Sequence, residues 1–171
     1  MEHLDLETPS LVCDLACYES SQIMMQERYE IKGGESLMVF EFVSEGPKGK
    51  INKMIRYEEI EVNNLFNLSF GDKSELTGDI DDMAISNNND TVKILNTVVS
   101  TVYTITDMHP DAWIHAAGST PSRTRLYRMG LTKYLDQAEK DFILYGQKDG
   151  EWEIFVKDRN YEGFLVHRKN Q

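Results

Sequence analysis

The segment between Asp111 and Asp136 carries a local excess of positive charge in an otherwise acidic chain. It contains no acidic residue, whereas the whole chain has a formal net charge of −11. Guanidinium groups donate hydrogen bonds in a planar fork that fits the oxygens of carboxylates and phosphates. The segment is therefore a candidate site for binding an anion. Its basic residues are Arg123, Arg125, Arg128 and Lys133.

A turn of small residues comes directly before the first arginine. Gly118, Ser119 and Thr120 are followed by Pro121, and proline favours the first turn of a helix because its missing N–H has no partner there. The start of a helix offers free backbone N–H groups and a partial positive charge, both of which suit a phosphate. The turn is therefore predicted to bind phosphate through Gly118, Ser119, Thr120 and Ser122.

Helical spacing places Arg123 on one side of the predicted helix and the other two arginines on the opposite side. At about 100° per residue, Arg123 shares a face with the apolar residues, whereas Arg125 and Arg128 point to the opposite side. An arginine that faces inward needs a partner. Three interpretations stay open: Arg123 pairs with a core carboxylate such as Glu41 or Asp111, it binds a ligand phosphate or nucleic acid, or it merely belongs to the cap of the helix. The helix residues predicted to bind the ligand are Arg123, Arg125, Tyr127 and Arg128.

The acidic and sulfur-bearing residues do not form a metal-binding motif. The acidic cluster lacks the alternation of a calcium loop and is typical of a solvated turn. Two cysteines without matching histidines make a poor metal site, so we expect reduced thiols, no metal and no cofactor. The residues concerned are Asp72, Asp79, Asp81 and Asp82, and Cys13 with Cys17.

One histidine lies close to the predicted turn. His115 alternates with Trp113 and Ala117 on one face of a short predicted strand. Together with Tyr127 it could act as an acid or base, provided that both side chains converge on the turn. The choice between an enzyme and a binding protein stays open.

The apolar pattern predicts an α+β fold, with two main helices packed on one face of a mostly antiparallel sheet. Asp90 is a predicted N-cap for a helix that runs to Met108, and a second helix is predicted over 122–134, extending to 140. Residues 1–27 are interpreted as an N-terminal extension and 28–171 as a single domain. Strands are predicted at 37–43, 51–60, 65–70, 83–85, 112–117, 142–145, 151–156 and 163–168.

Composition limits the location and the partners of the protein. The chain lacks a basic start followed by an apolar run, and it has no apolar stretch near the roughly 18 residues of a membrane helix, so we expect a cytoplasmic protein without a membrane partner. A sequence pI near 4.8 argues against broad DNA binding, which needs an extended basic surface. A small anion site is still compatible with this charge, because the local field decides binding there.

Several motifs resemble those of a family of small bacterial proteins catalogued only as a domain of unknown function. The most distinctive is Gly-Ser-Thr-x-x-Arg-x-Arg-Leu-Tyr, which begins at Gly118. The resemblance covers about 28–169 and implies no established activity. The small single-domain form is similar to the cargo of mobile elements or toxin–antitoxin systems. The other matching segments are 42–50, 67–72, 110–113, 145–146 and 161–166.

Two main hypotheses follow from these features. In the first, residues 118–128 bind the phosphate of a nucleotide or RNA, with a toxin-like role against RNA as one form of it. In the alternative, the protein is a non-catalytic interaction domain or a homo-oligomer, and Arg123 forms a structural ion pair. An exposed edge strand at 161–168 would support a homodimer.

Overall fold

A computed structural model describes residues 27–34, 38–60, 63–81, 83–84 and 86–169. Of the predicted extension 1–27 only Glu27 is described, and Cys13, Cys17 and Asp82 lie outside the described residues. No helix in the described ranges combines the length and the apolar character needed to cross a membrane.

The strands formed by the described residues make one mixed sheet. Its order is β1-β2-β3-β4-β6-β9-β7-β8, with β5 paired to β4. Every pair of neighbours is antiparallel except β4 and β6, which run parallel. The strands are β1 (Lys32–Gly33), β2 (Val39–Gly46), β3 (Gly49–Glu59), β4 (Leu65–Lys73), β5 (Ile80–Asp81), β6 (Trp113–Ala116), β7 (Phe142–Lys148), β8 (Glu151–Ile154) and β9 (Gly163–Arg168).

Two helices cover one face of this sheet. Helix α1 (Thr91–Met108) precedes β6, and helix α2 (Pro121–Asp141) follows it. Apolar residues of α1 pack with those of β2, β3, β4 and β6, and Leu135 of α2 packs with residues of β7 and β9. Cross-strand pairing places these sheet residues on the same face, because Ile114 lies opposite Val166 and Val166 opposite Leu144. The predicted α+β architecture is confirmed.

Helix α1 forms despite a high content of β-branched residues, which are weak helix formers. Burial against the sheet offsets this weakness, since Ile105 and Thr101 are 0% exposed. The hydroxyl of Thr101 donates to the carbonyl of Val98 at 2.7 Å and also bonds to the hydroxyl of Tyr57 at 2.8 Å. The polar side chains on the buried side of α1 therefore have partners.

Asp90 occupies the N-cap position of α1 but does not cap it. Its side chain makes no capping hydrogen bond. The carboxylate instead accepts hydrogen bonds from the hydroxyls of Tyr29 at 2.7 Å and Ser44 at 2.6 Å. Asp90 thus ties the start of α1 to β2, which is a long-range role that local sequence does not indicate.

Two predictions about strands are wrong. The strand predicted at 83–85 is replaced by the short strand β5, because the Asp81 carboxylate accepts hydrogen bonds from the N–H groups of Met83 and Ala84 and turns the chain there. The segment proposed as an exposed edge contains β9, which lies inside the sheet between β6 and β7. The strand β8 has a neighbour on one side only among the described residues.

We predict that Gly146→Ala destabilises the fold by about 1–3 kcal/mol, the usual effect of overpacking. An added Cβ would lie 2.4 Å from a ring carbon of Tyr161, which is buried. Thermal unfolding checks this, with Gly34→Ala as the control because its Cβ would meet nothing closer than 3.6 Å. Equal melting temperatures for the two variants would contradict the close packing of Tyr161 on β7.

Candidate functional site

A surface cleft lies at the start of α2 and contains much of the predicted site. The cleft has a volume of about 470 Å³. One wall is the turn after β6 with the first two turns of α2, and the other is the loop before β9. We call it the α2 cleft; it is lined by Gly118, Ser119, Thr120, Pro121, Thr124, Arg125, Arg128, Asn160, Tyr161 and Glu162.

The turn that forms the α2 cleft is folded tightly against the helix that follows it. The N–H of Gly118 donates to the hydroxyl of Thr124 at 3.2 Å, and the N–H of Arg123 donates to the capping hydroxyl of Thr120 at 3.3 Å. A Cβ on Gly118 would lie 2.2 Å from the backbone nitrogen of Thr124. Glycine is needed here for close approach of two backbone segments.

Arg123 anchors the start of α2 to the segment after β5. Its guanidinium donates to the carbonyls of Asp81 at 2.9 Å and Ala84 at 3.0 Å, and to the hydroxyl of Ser119 at 2.9 Å. These three bonds go to carbonyl and hydroxyl oxygens and hold the first turn of α2 in place. Glu41, one of the carboxylates considered, forms an ion pair with Lys73 at 2.7 Å.

The other two predicted arginines contribute to the α2 cleft. Arg125 is exposed, and Arg128 is partly buried and donates a hydrogen bond to the side-chain oxygen of Asn160. Glu162 also lines the cleft. The lining of the cleft therefore carries two guanidinium groups and one carboxylate, which is an excess of positive charge. The partial positive charge at the start of α2 adds to it.

Ser122 and Tyr127 were predicted to join this site, and the structure places them elsewhere. Ser122 is exposed on the first turn of α2 but does not line the α2 cleft. Tyr127 lines an apolar cavity of about 130 Å³ between the two helices and the sheet. Ser122 and Tyr127 are five residues apart on α2, so their side chains point in different directions. One cleft therefore contains only some of the residues of a continuous helical motif.

A scan against family models matches residues 25–169 to DUF6934, described as a family of unknown function. The chain belongs to this family. The resemblance drawn from the sequence motifs is thereby confirmed. No curated protein and no solved structure matches the chain. The DUF6934 match spans both walls of the α2 cleft and assigns no activity to either.

The idea of an acid–base pair formed by His115 and Tyr127 is wrong. Cross-strand pairing places His115 on the face of the sheet opposite to the helices, whereas Tyr127 packs into the helix side. Nδ1 of His115 lies 3.0 Å from the side-chain oxygen of Asn67, and partial burial lowers the pKa of its imidazole. The lowered pKa favours the neutral imidazole, which packs beside Asn67 on the side of the sheet away from α2.

The described acidic residues of the predicted cluster, in β4 and after it, are used within the fold. Asp72 pairs with Lys53, which is 3% exposed, and Asp79 pairs with Arg56 at 2.6 Å. Among the residues that the structure describes, no group of three or more His, Cys, Asp or Glu could hold a metal ion. The acidic segment thus supports the sheet and the helix start.

Sequence reasoning missed the second wall of the α2 cleft. Asn160, Tyr161 and Glu162 come more than thirty residues after the arginines, and no local pattern links the two segments. The N–H of Glu162 donates to the carbonyl of Gln147 at 2.8 Å, which holds the loop against the end of β7. Only the position of β9 beside β6 brings this loop to the start of α2.

We predict that His115 makes stability depend on pH. Burial lowers its folded pKa below the unfolded value near 6.5, so the unfolded state takes up its proton first as the pH falls. The free energy of unfolding should be highest above about pH 6.5 and should decrease as the pH falls below that value. NMR titration of the imidazole and unfolding curves from pH 7.5 to 5 check this.

The variant His115→Gln is the control for this titration. It removes the ionisable group but keeps a polar side chain beside Asn67, so the part of the pH dependence that comes from His115 should disappear. An imidazole in the native protein that titrates above its ordinary pKa would contradict the assignment.

Proposed function

We propose that the protein binds a phosphate-bearing ligand, a nucleotide or RNA, in the α2 cleft. One observation carries this proposal: the start of a long helix, two arginines and the serine and threonine hydroxyls line the same concave surface. Each of these features favours an anion, and phosphate matches both the fork of an arginine and the N–H groups of a helix start.

The placement of Arg128 supports this function. Asn160 accepts a hydrogen bond from the guanidinium across the cleft and orders the arginine side chain in the free protein. Less conformational entropy is therefore lost when a ligand binds. Arg125 on the same side of the helix is exposed and adds charge at the rim. In a chain of net charge −11, this local field is what would direct an anion to the α2 cleft.

The described lining of the α2 cleft fits binding better than catalysis. It offers hydroxyl, amide and guanidinium donors, with neither an imidazole nor a thiol among its residues. Its carboxylate, Glu162, is exposed, and the hydroxyls of Thr120 and Thr124 are hydrogen-bonded within the turn, whereas a catalytic nucleophile is held against a base. A toxin-like role against RNA stays a prediction. The cleft supports only the binding of RNA that such a role would require.

A protein-interaction role is the second candidate, and the edge strand β8 favours it. Trp152 and Ile154 on this strand are 41% and 55% exposed. An exposed strand edge with apolar side chains can pair with another chain. Light scattering over a range of protein concentrations tests this role; a dimer that disappears with Ile154→Lys would support it.

We predict that Arg128→Ala weakens binding of uridine 5′-monophosphate by about 10- to 100-fold, because a charge-assisted hydrogen bond contributes about 1.5–3 kcal/mol. Arg128→Lys should recover only part of the loss, since lysine keeps the charge and lacks the planar fork. Isothermal titration calorimetry measures both variants. Unchanged affinity in Arg128→Ala would contradict the site.

Lys133→Ala is the matched control. Lys133 is an exposed cation on the same helix, outside the α2 cleft, and its ammonium lies over the ring of Tyr134. We expect its affinity to stay within about twofold of the native value, as screening at physiological salt reduces the effect of distant charges. A loss equal to that of Arg128→Ala would point to a diffuse charge effect instead of a defined cleft.

A further inference from the structure

The face of the sheet opposite to the helices carries a row of aromatic and histidine side chains. Cross-strand pairing assigns alternate residues of β6, β7, β8 and β9 to this face, because Trp113 pairs with His167 and Tyr145 with Leu165. We call it the aromatic face. Its residues are Trp113, His115, Ile143, Tyr145, Gln147, Trp152, Ile154, Leu165 and His167.

The rings of the aromatic face are arranged in two groups. Trp113 and His167 are stacked with centroids 4.3 Å apart and planes 9° apart, and Tyr145 lies 6.0 Å from Trp113. His115 meets Trp152 edge to face at 6.0 Å. The chain has two tryptophans, and both lie here. The rings of both groups are at least partly exposed, and exposed aromatic rings are the side chains on which nucleobases stack.

None of the described residues that form the aromatic face is acidic. The two acidic residues of β8, Glu151 and Glu153, alternate with Trp152 and Ile154 and point to the other side of the sheet. Glu153 there pairs with Arg159 at 2.8 Å. In a chain of net charge −11, a face built of uncharged residues next to two arginines repels a polyanion less than an acidic surface does.

The aromatic face and the α2 cleft meet at one end of the sheet. A Cβ on Gly163 would lie 3.3 Å from Nε2 of His115 and 3.6 Å from Cβ of Ala117. Gly118 follows Ala117, and Glu162 precedes Gly163, and both of these residues line the α2 cleft. A chain of nucleotides that leaves the cleft therefore reaches His115 and Trp152 directly over the ends of β6 and β9.

We infer that the ligand of the α2 cleft is a single-stranded nucleic acid whose bases stack on the aromatic face. This inference rests on the proposed phosphate site and extends it to the class of ligand. Single strands expose their bases for stacking on aromatic side chains, whereas paired bases are already stacked within a duplex. Few phosphates meet a cation here, so stacking supplies most of the affinity and binding depends weakly on salt.

The test compares three probes: oligouridylate of eight nucleotides, the abasic ribose–phosphate chain of the same length, and inorganic phosphate. Native protein should bind the oligouridylate more tightly than the abasic chain, with quenching of tryptophan fluorescence. Trp152→Ala should lose about 5- to 100-fold in affinity for the oligouridylate, the effect of one lost base–aromatic contact. Its affinity for the abasic chain should stay unchanged.

Two variants keep the result unambiguous. Trp152→Phe retains an aromatic ring and should recover most of the affinity. Val92→Ala removes a side chain that is 46% exposed on α1, on the other side of the sheet, and should bind as the native protein does. Equal binding of the oligouridylate by Trp152→Ala and native protein overturns the inference. A dimer that hides the aromatic face, and that the oligouridylate does not dissociate, overturns it as well.

The probes also separate this inference from the proposed function. If native protein binds phosphate and the abasic chain, and bases add nothing, the aromatic face is not a base-stacking surface while the α2 cleft stands. If oligouridylate quenches the tryptophans and Arg128→Ala binds it as tightly as native protein does, the cleft is not the phosphate site. Loss of all binding in the native protein rejects both.

Discussion

The parallel pairing of β6 with β4 is the contact on which the rest of the structure depends. It joins the antiparallel meander β2-β3-β4 to the second half of the sheet, and α1 provides the crossover that a parallel pair requires. The register sets His115 opposite Asn67 and buries Ile114 at 0% exposure. A slip of one residue would exchange the two faces of β6 and move the aromatic side chains inward.

The candidate site follows from that pairing. Because β6 is central, the turn that leaves it lies beside the loop that enters β9, and α2 begins where the two meet. Arg123 then fixes the start of α2 through backbone carbonyls of the segment after β5. Arg123 thus positions the helix, whereas Arg125 and Arg128 line the α2 cleft.

Local periodicity predicted the fold class and much of one wall of the site. Helix α1 ends at Met108 as expected, and the Gly118 turn and the arginine helix stand where the motif placed them. What local patterns could not supply is long-range pairing. The interior place of β9, the role of Asp90 between Tyr29 and Ser44, and the wall formed by Asn160 all depend on segments far apart in sequence.

The most direct test of the phosphate site is a map of backbone amide chemical shifts by NMR during titration with uridine 5′-monophosphate. The account predicts that the largest changes fall on both walls of the α2 cleft, at 118–128 and at 160–162, and that they saturate together with one affinity. Changes confined to other surfaces, or none at millimolar ligand, would contradict it.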